Sequence, residues 1–313
     1  MARMARFKIS EGDSWYHLTG RVGGVRGEYP LADPVAARRL IDMIRHFGRI
    51  YFCEVGGFCV MGNHYHLVTL FEGPHDVSRR ELEIRAKKMY PGQMSQLRVQ
   101  AWSDEQWERF RERLFDVSEF MRNVQAAFAR WYNRAHDRRG RFWADRFKSV
   151  YLENEQAVLD CLLYVELNPV RAGLVQRPEK WKASSIGLRE IGEDGWLMPL
   201  PRLLGRPSRK KALLEFRERL YHRGAIPSKA GQAAISPKVL QEEATRGFAT
   251  RGVYRKRLAY FVDGLAIGTE GFLREQIARL RSQQRYLRRK HPIPQLDGVH
   301  LSLREQRTTA ISF

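Results

Sequence analysis

Apolar and polar positions alternate near the start of the chain, which indicates β-structure. Residues 14–22 (SWYHLTGRV) alternate in this way and are rich in aromatic and β-branched types, as is typical of a strand. Residues 50–60 and 64–70 predict two further strands. A pair of glycines interrupts the first of these, and a Met-Gly-Asn turn separates it from the second.

Three other segments space their apolar residues at helical intervals. Residues 34–47 follow this pattern, with Asp33 placed as N-cap and Pro34 at the first helical position. Residues 118–136 and 155–167 repeat it. Because a helix follows the first strand and two further strands come next, the order predicts an α+β domain with helices packed on an antiparallel sheet.

The character of the sequence changes after about residue 195. Residues 196–210 are rich in proline, glycine and basic side chains, which predicts a linker between a domain at 1–195 and a basic, mainly helical extension at 211–313. Within the extension, residues 252–262 and 270–289 predict two helices joined by an Asp-Gly turn. A helix-turn-helix-like DNA reader and a plain helical hairpin with a solvated basic face both fit this pattern.

The net charge of the chain indicates which class of partner it binds. The chain has 55 Lys and Arg against 35 Asp and Glu, a net charge of +20. Residues 201–313 hold 24 of these basic residues against nine acidic ones. Such a field attracts polyanions, so nucleic acid is the leading partner. A ribosome-associated protein is an alternative, whereas a membrane surface is disfavoured because no long amphipathic apolar face appears.

Further composition points to a cytoplasmic protein. The chain has three cysteines, too few for a disulfide framework, and none are in CxxC spacing. It has no run of about 18 apolar residues for a membrane span, and its basic N-terminus lacks the apolar run of a signal peptide. We therefore expect a cytoplasmic protein associated with the nucleoid.

Two pairs of residues are candidates for a metal-binding and catalytic site. His64 and His66 are two residues apart in a predicted strand, so both imidazoles project from one face and can hold a divalent cation. Tyr164 and Asn168 are one helical turn apart, so an amide oxygen could complete the metal site beside a phenol. Taken alone, a pair of histidines is also common as an ordinary surface or core feature, and a lone helical tyrosine is more often structural.

Three stretches together resemble the IS200-like and REP-associated tyrosine transposases. Residues 58–68 (FCVMGNHYHLV) resemble the family's histidine-containing strand, and residues 140–149 (GRFWADRFKS) resemble the segment before its nucleophile helix. Residues 164–175 (YVELNPVRAGLV) resemble that helix and its exit. The resemblance covers about residues 10–185 and follows the family's order.

The resemblance implies an HUH-type fold, a small antiparallel sheet with packed helices. It makes His64 and His66 the metal-binding pair, Tyr164 the nucleophile and Asn168 the third ligand, with Mg²⁺ or Mn²⁺ as cofactor. The implied activity cleaves single-stranded DNA through a 5′-phosphotyrosine and rejoins strands, with imperfect hairpins among the substrates and a bacterial-type setting. Two positions depart from the family pattern: Gly62 stands where proline is common, and Glu166 where histidine is more usual.

Basic and aromatic side chains in residues 118–149 suit single-stranded DNA, because bases stack on aromatic rings while cationic side chains bind phosphates. Core aromatics with an ordinary charged face are the structural alternative. Tyr132 and Tyr151 are weaker candidates for the nucleophile. The predicted contacts with nucleic acid are Arg141, Trp143, Arg146, Lys148, Arg122 and Arg130.

Two other functions stay open on the sequence. A transposase-derived protein could bind DNA or RNA hairpins without cutting them, and a metal-dependent nuclease could use water instead of tyrosine. The sequence also leaves open a homodimer, including whether one chain or two build the active site.

Overall fold

One sheet organises the part of the chain that a computed structural model describes, residues 12–24, 27–227, 231–245, 247–248, 265–282, 293–294 and 301–302. Its strands are β1 (Ser14–Arg21), β2 (Cys53–Val60), β3 (His64–Phe71), β4 (Lys148–Leu152), β5 (Ala266–Gly268), β6 (Ile293–Pro294) and β7 (Leu301–Ser302). They lie in the order β2-β3-β1-β4-β5-β7-β6. Every neighbouring pair is antiparallel except β4 and β5. The fold is therefore α+β, as the pattern predicts.

Helices pack on both faces of this sheet. They are α1 (Pro34–Gly48), α2 (Arg79–Met89), α3 (Gln93–Gln100), α4 (Asp104–Leu114), α5 (Val117–Ala135), α6 (Glu155–Glu166), α7 (Asn168–Arg171), α8 (Ser185–Ile191), α9 (Leu200–Leu204), α10 (Arg209–Ala225), α11 (Pro237–Ala244) and α12 (Glu270–Ser282). The predicted cap is confirmed at α1, where Asp33 accepts hydrogen bonds from two backbone amides. Asn154 likewise caps α6. None of the described helices is long and apolar enough to cross a membrane.

One face of the sheet, the apolar face, supplies most of the core. Leu18 of β1 and Tyr65 and Leu67 of β3 are fully buried there. They belong to the same cluster as Ile41 of α1 and Phe120 of α5. Burying each such side chain stabilises the fold by about 1.5–3 kcal/mol relative to exposure, so this face fixes the position of the central strands.

The opposite face, the site face, carries the intervening residues of the same strands. It presents His17 and Thr19 from β1 and His66 from β3, because successive side chains in a strand point to opposite sides. Helix α6 covers this face. Its close approach depends on Gly57 of β2, where a Cβ atom would lie 2.6 Å from Leu162 Cδ2. The interrupting glycines therefore allow the helix to pack tightly on the strand.

The segment predicted as a linker is packed against the sheet. Residues 196–210 include α9 and the buried Met198 and Leu200, and the Met198 amide donates to the Val55 carbonyl at 2.8 Å. Apolar residues between the prolines cause this packing, and the composition had obscured them. The division of the chain into a domain, a linker and an extension stays a prediction.

The predicted extension is mainly helical within its described residues, and it also joins the sheet. Strand β5 pairs in parallel with β4, and Phe272 of α12 stacks on Tyr151 with ring centroids 5.5 Å apart. The helical pattern gave no sign of these strands. The predicted helix at 252–262, and the end of the one at 270–289, lie outside the described residues, so the helix-turn-helix interpretation stays a prediction.

Candidate active site

The register of β1 against β3 and β4 determines which residues lie side by side on the site face. Thr19 lies opposite His66 on one side and opposite Lys148 on the other, while Arg21 lies opposite His64. Directly opposed residues of antiparallel strands project from the same face. The two predicted metal ligands therefore share their face with two cationic side chains.

His64 is held by the residue before it. Its Nδ1 atom lies 2.8 Å from Asn63 Oδ1. An amide oxygen only accepts, so Nδ1 carries the proton and Nε2 keeps its lone pair. Burial, followed by the charge of Arg21, lowers the pKa of His64 to about 4. The ring is therefore neutral near pH 7 and has one nitrogen available as a ligand.

His66 is buried and contacts two other imidazoles. Its Nδ1 lies 3.0 Å from Nε2 of His17, with the two rings nearly parallel at 15° and 5.1 Å apart. The His64 ring is also 5.1 Å away but perpendicular at 89°. Burial first, and then His17 and His64, hold the pKa of His66 well below its ordinary value. A neutral ring is the form that binds metals.

Tyr164 lies beside these rings. Helix α6 places its ring centroid 5.5 Å from that of His66 and 6.0 Å from that of His17, both at nearly right angles. The predicted nucleophile and the predicted metal pair thus meet within one chain. The described residues require no second chain for this arrangement.

Asn168 stabilises the end of α6. Helix α6 ends at Glu166 and α7 begins at Asn168, whose Nδ2 donates to the carbonyl oxygens of Tyr164 at 2.9 Å and Val165 at 3.3 Å. Among the described residues, no hydrogen-bond donor reaches its Oδ1. The amide thereby stabilises the turn below Tyr164 and keeps an oxygen for another role.

The side chains present fit a divalent cation held by few protein ligands. His64 and His66 each have Nδ1 engaged and Nε2 remaining, and Asn168 retains its amide oxygen. No group of three or more His, Cys, Asp or Glu within the described ranges is arranged to hold a metal. Imidazole nitrogens accept several divalent metals, so the histidine pair fits a divalent cation without selecting one.

The predicted nucleic-acid contacts fall into different surroundings. Trp143 is partly buried against the rings of Tyr65, Phe128 and Phe142, and its indole N–H donates to the Gln125 carbonyl at 2.9 Å. These contacts give its ring a core role. Arg122 is exposed but pairs with Glu119 at 2.5 Å. The remaining predicted contacts, all exposed, are Arg130, Arg141, Arg146 and Lys148.

The two alternative tyrosines point away from the site. Tyr151 lies on the apolar face, 7% exposed, where burial raises its pKa to about 12. Tyr132 is buried against Phe128 and Phe142. Of the three tyrosines considered, Tyr164 is therefore the one beside the histidines.

Sequence reasoning missed two residues of the site. His17 alternates with the apolar Tyr16 and Leu18, which places it on the other face of its strand, yet only the long-range pairing of β1 with β3 brings it to His66. Arg21 was missed for the same reason. Its position opposite His64 follows from the register and not from a local motif.

Both departures from the family pattern have structural explanations. At Gly62, a Cβ atom would lie 2.9 Å from the ring of Tyr29, so glycine admits this ring beside the turn before His64. Glu166 is 1% exposed and accepts a hydrogen bond from Ser185 Oγ. Burial raises its pKa to about 7. Glu166 is two positions after Tyr164, an offset of about 200° that places them on different sides of α6.

No family model and no curated protein matches the chain. Among solved structures, it is similar to one described as a REP-associated tyrosine transposase bound to a REP hairpin. The two chains are 16% identical, the matched region covers 61% of this chain and 86% of that one, and the TM-score is 0.41. A likeness of this extent assigns neither an activity nor a substrate to this protein.

Proposed function

We propose that this protein is a DNA transesterase that cleaves and rejoins single-stranded DNA through Tyr164. The observation that carries the proposal is the meeting of the Tyr164 ring with His66, 5.5 Å apart, on a face that also holds His64. The motifs that resemble the IS200-like and REP-associated transposases support the same reaction. A phenol beside a candidate metal site suits nucleophilic attack on a phosphodiester.

In the proposed reaction, Tyr164 Oη attacks a phosphorus atom of the DNA backbone. A bond forms between Oη and phosphorus, and the bond from phosphorus to the 3′-oxygen breaks. The phenol loses its proton and the leaving 3′-oxygen gains one, so charge and atoms balance. One phosphate diester replaces another, which lets a free 3′-OH reverse the step and join strands without ATP.

The chain supplies the groups that hold the reacting phosphate. Nε2 of His64, Nε2 of His66 and Oδ1 of Asn168 would hold Mg²⁺ or Mn²⁺. When bound, such an ion polarises a phosphate oxygen and offsets its charge. Arg21 lies opposite His64, and Lys148 lies opposite Thr19, the neighbour of His66, so both add positive charge to the site face. We assign them to the phosphates that flank the cleaved bond.

The proposed partner is single-stranded or hairpin DNA. The net charge of +20 favours a polyanion, and its binding should weaken steeply with salt. Arg130, Arg141 and Arg146 are exposed and are the surface cations we assign to the DNA backbone. Trp143 is only partly buried and Arg122 is exposed, so both stay predicted contacts.

A pair of tyrosine variants tests the nucleophile. Labelled single-stranded oligonucleotides from the flanks of the protein's own gene are incubated with Mn²⁺ or EDTA and run on a denaturing gel. Wild type and Tyr65→Phe should give a slow covalent band in Mn²⁺, while Tyr164→Phe should give at least about a thousandfold less. Tyr65 is a matched control, because it adjoins both histidines in sequence but its side chain lies on the apolar face.

The outcomes separate the competing functions. A full covalent band from Tyr164→Phe would refute the nucleophile. Metal-dependent cutting without any protein–DNA adduct would instead identify a nuclease that uses water. Tight binding without cutting, across flanks that contain a hairpin, would identify a DNA- or RNA-binding regulator, and its affinity should then survive His64→Ala and His66→Ala.

A further inference from the structure

His17 is a buried polar residue in the middle of β1 that the proposed chemistry does not use. It is 1% exposed and lies on the site face. Its Nε2 is 3.0 Å from His66 Nδ1, and its ring packs nearly parallel to that of His66. Its ring also meets Tyr164 nearly at right angles. One side chain therefore touches both the candidate ligand and the candidate nucleophile.

The contact between His17 and His66 needs one donor and one acceptor. In a neutral imidazole, one nitrogen carries the proton and the other has a lone pair. If His66 carries its proton on Nδ1, its Nε2 is free to bind a cation. If His66 accepts at Nδ1 instead, its proton sits on Nε2 and blocks that nitrogen. The direction of this one hydrogen bond thus decides whether His66 can act as a ligand.

His64 shows which direction suits the site. Its Nδ1 faces the amide oxygen of Asn63, which can only accept, so His64 is fixed with its proton on Nδ1. His66 is also held through Nδ1. Both rings present Nε2 to a metal only if His66, like His64, carries its proton on Nδ1. His17 Nε2 must then accept the hydrogen bond from His66 Nδ1, as Asn63 Oδ1 accepts the one from His64.

We propose that His17 is a positioning residue that accepts the Nδ1 proton of His66, fixes its tautomer and ring plane, and packs the Tyr164 ring against the same pair. His17 then carries its own proton on Nδ1. Its role is indirect, since the described ranges contain no three-residue His, Cys, Asp or Glu metal group that could include it. Partners of this kind orient metal-binding histidines widely in proteins. The contact geometry allows either direction of this hydrogen bond, and the direction proposed here rests on the metal site of the proposed function.

The tautomer is measurable without metal or DNA. Ring nitrogens with and without a proton differ widely in ¹⁵N shift, so long-range ¹H–¹⁵N spectra of the metal-free full chain at pH 7 report the state of His66, which His66→Gln assigns. The wild type should show a proton on Nδ1 and a bare Nε2. A wild-type His66 with its proton on Nε2 would overturn the proposal, whatever any variant does.

Substitutions at His17 then test the cause. His17→Gln keeps an acceptor near the position of Nε2 and should preserve the tautomer, whereas His17→Phe keeps the ring and removes the acceptor. In titrations with Mn²⁺ alone, His17→Phe should bind about 10–100-fold more weakly than wild type, and His17→Gln within about threefold. Thr19→Val is the matched control, because Thr19 is on the same strand and face, directly opposite His66.

The result is separable from the fate of the transesterase. Wild-type affinity for Mn²⁺ in a folded His17→Phe protein would overturn the proposal, as would loss of affinity in Thr19→Val. If His17→Phe does not fold, the wild-type spectrum and the His17→Gln titration still decide. A protein with the expected tautomer that forms no DNA adduct would sink the proposed function and leave the role of His17 intact.

Discussion

Neighbouring residues of β3 serve opposite sides of one sheet. Tyr65 and Leu67 are fully buried on the apolar face, and the Tyr65 hydroxyl accepts a hydrogen bond from Gln125 Nε2 at 3.0 Å. His64 and His66 project to the site face, where each ring has one nitrogen engaged and one remaining. Packing of Tyr65 and Leu67 on one side thus fixes the backbone from which His64 and His66 project on the other.

The two faces also differ in what burial does to their groups. On the apolar face, burial stabilises the apolar side chains. It also raises the pKa of the Tyr65 phenol, because the charged form is disfavoured there. On the site face, burial lowers the pKa of both histidines, which keeps them neutral and able to bind a cation. The same physical cause thus disfavours the charged form of a group on each face.

Loss of a candidate metal ligand on the site face should reduce DNA-adduct formation most strongly. His64→Ala should lower adduct formation at least about a hundredfold, because it removes one of few ligands from the proposed metal site. Its free energy of unfolding should change by less than about 1 kcal/mol, since the side chain is only partly buried. Adduct time courses and urea unfolding measure the two. A loss of activity that tracked a loss of folded protein would contradict the separation of the faces.

The reverse pattern is expected three residues further along β3. Leu67→Ala should cost about 2–5 kcal/mol of unfolding free energy, because it leaves a cavity in the core of the apolar face. The rate of adduct formation per folded molecule should stay within about twofold of wild type. Urea unfolding, combined with adduct assays below the melting temperature, checks both. A large fall in the rate of fully folded protein would show that the core and the site are coupled.

The elements that sequence alone predicted are those with local signals. The alternation in 14–22, the cap at Asp33 and the spacing of His64 and His66 each specify their own surroundings, and the structure has β1, α1 and β3 at these places. Tyr164 was placed on its helix in the same way. Whether these residues act as proposed stays a prediction.

What sequence missed depends mainly on pairing between distant segments. His17 reaches His66 through the register of β1 on β3, and β5 reaches β4 across more than a hundred residues. No local pattern encodes such contacts. By contrast, the capping box of Ser103 and Gln106 is a local signal from which the start of α4 can be predicted.

A third prediction concerns Glu166, a buried carboxyl at the end of α6. Burial raises its pKa from 4.5 to about 7, above its unfolded value. The stability that its protonated form contributes is therefore complete below pH 4.5 and is lost as the pH rises through 7. Glu166→Gln keeps the shape and cannot ionise. Between pH 4.5 and 8, wild type should lose up to about 3 kcal/mol relative to this variant.

Urea unfolding of both proteins across this range measures the difference. Glu155→Gln is a matched control on the same helix, because Glu155 is exposed and should leave the pH dependence of wild type unchanged. Parallel stability curves for wild type and Glu166→Gln would show that Glu166 is ionised at the same pH in the folded and unfolded chains.

The weakest effect is expected at Tyr65, which lies between the two histidines in sequence and loses a single oxygen atom on substitution by Phe. Tyr65→Phe removes the acceptor of Gln125 Nε2 and should cost about 1 kcal/mol of unfolding free energy. Its covalent band with DNA should match that of wild type, whereas Tyr164→Phe should lose the band. Urea midpoints and denaturing gels on the same preparations give both quantities. If Tyr65→Phe weakened the band as strongly as Tyr164→Phe, the apolar face would take part in the chemistry, and the division of β3 into a packing side and a reacting side would be wrong.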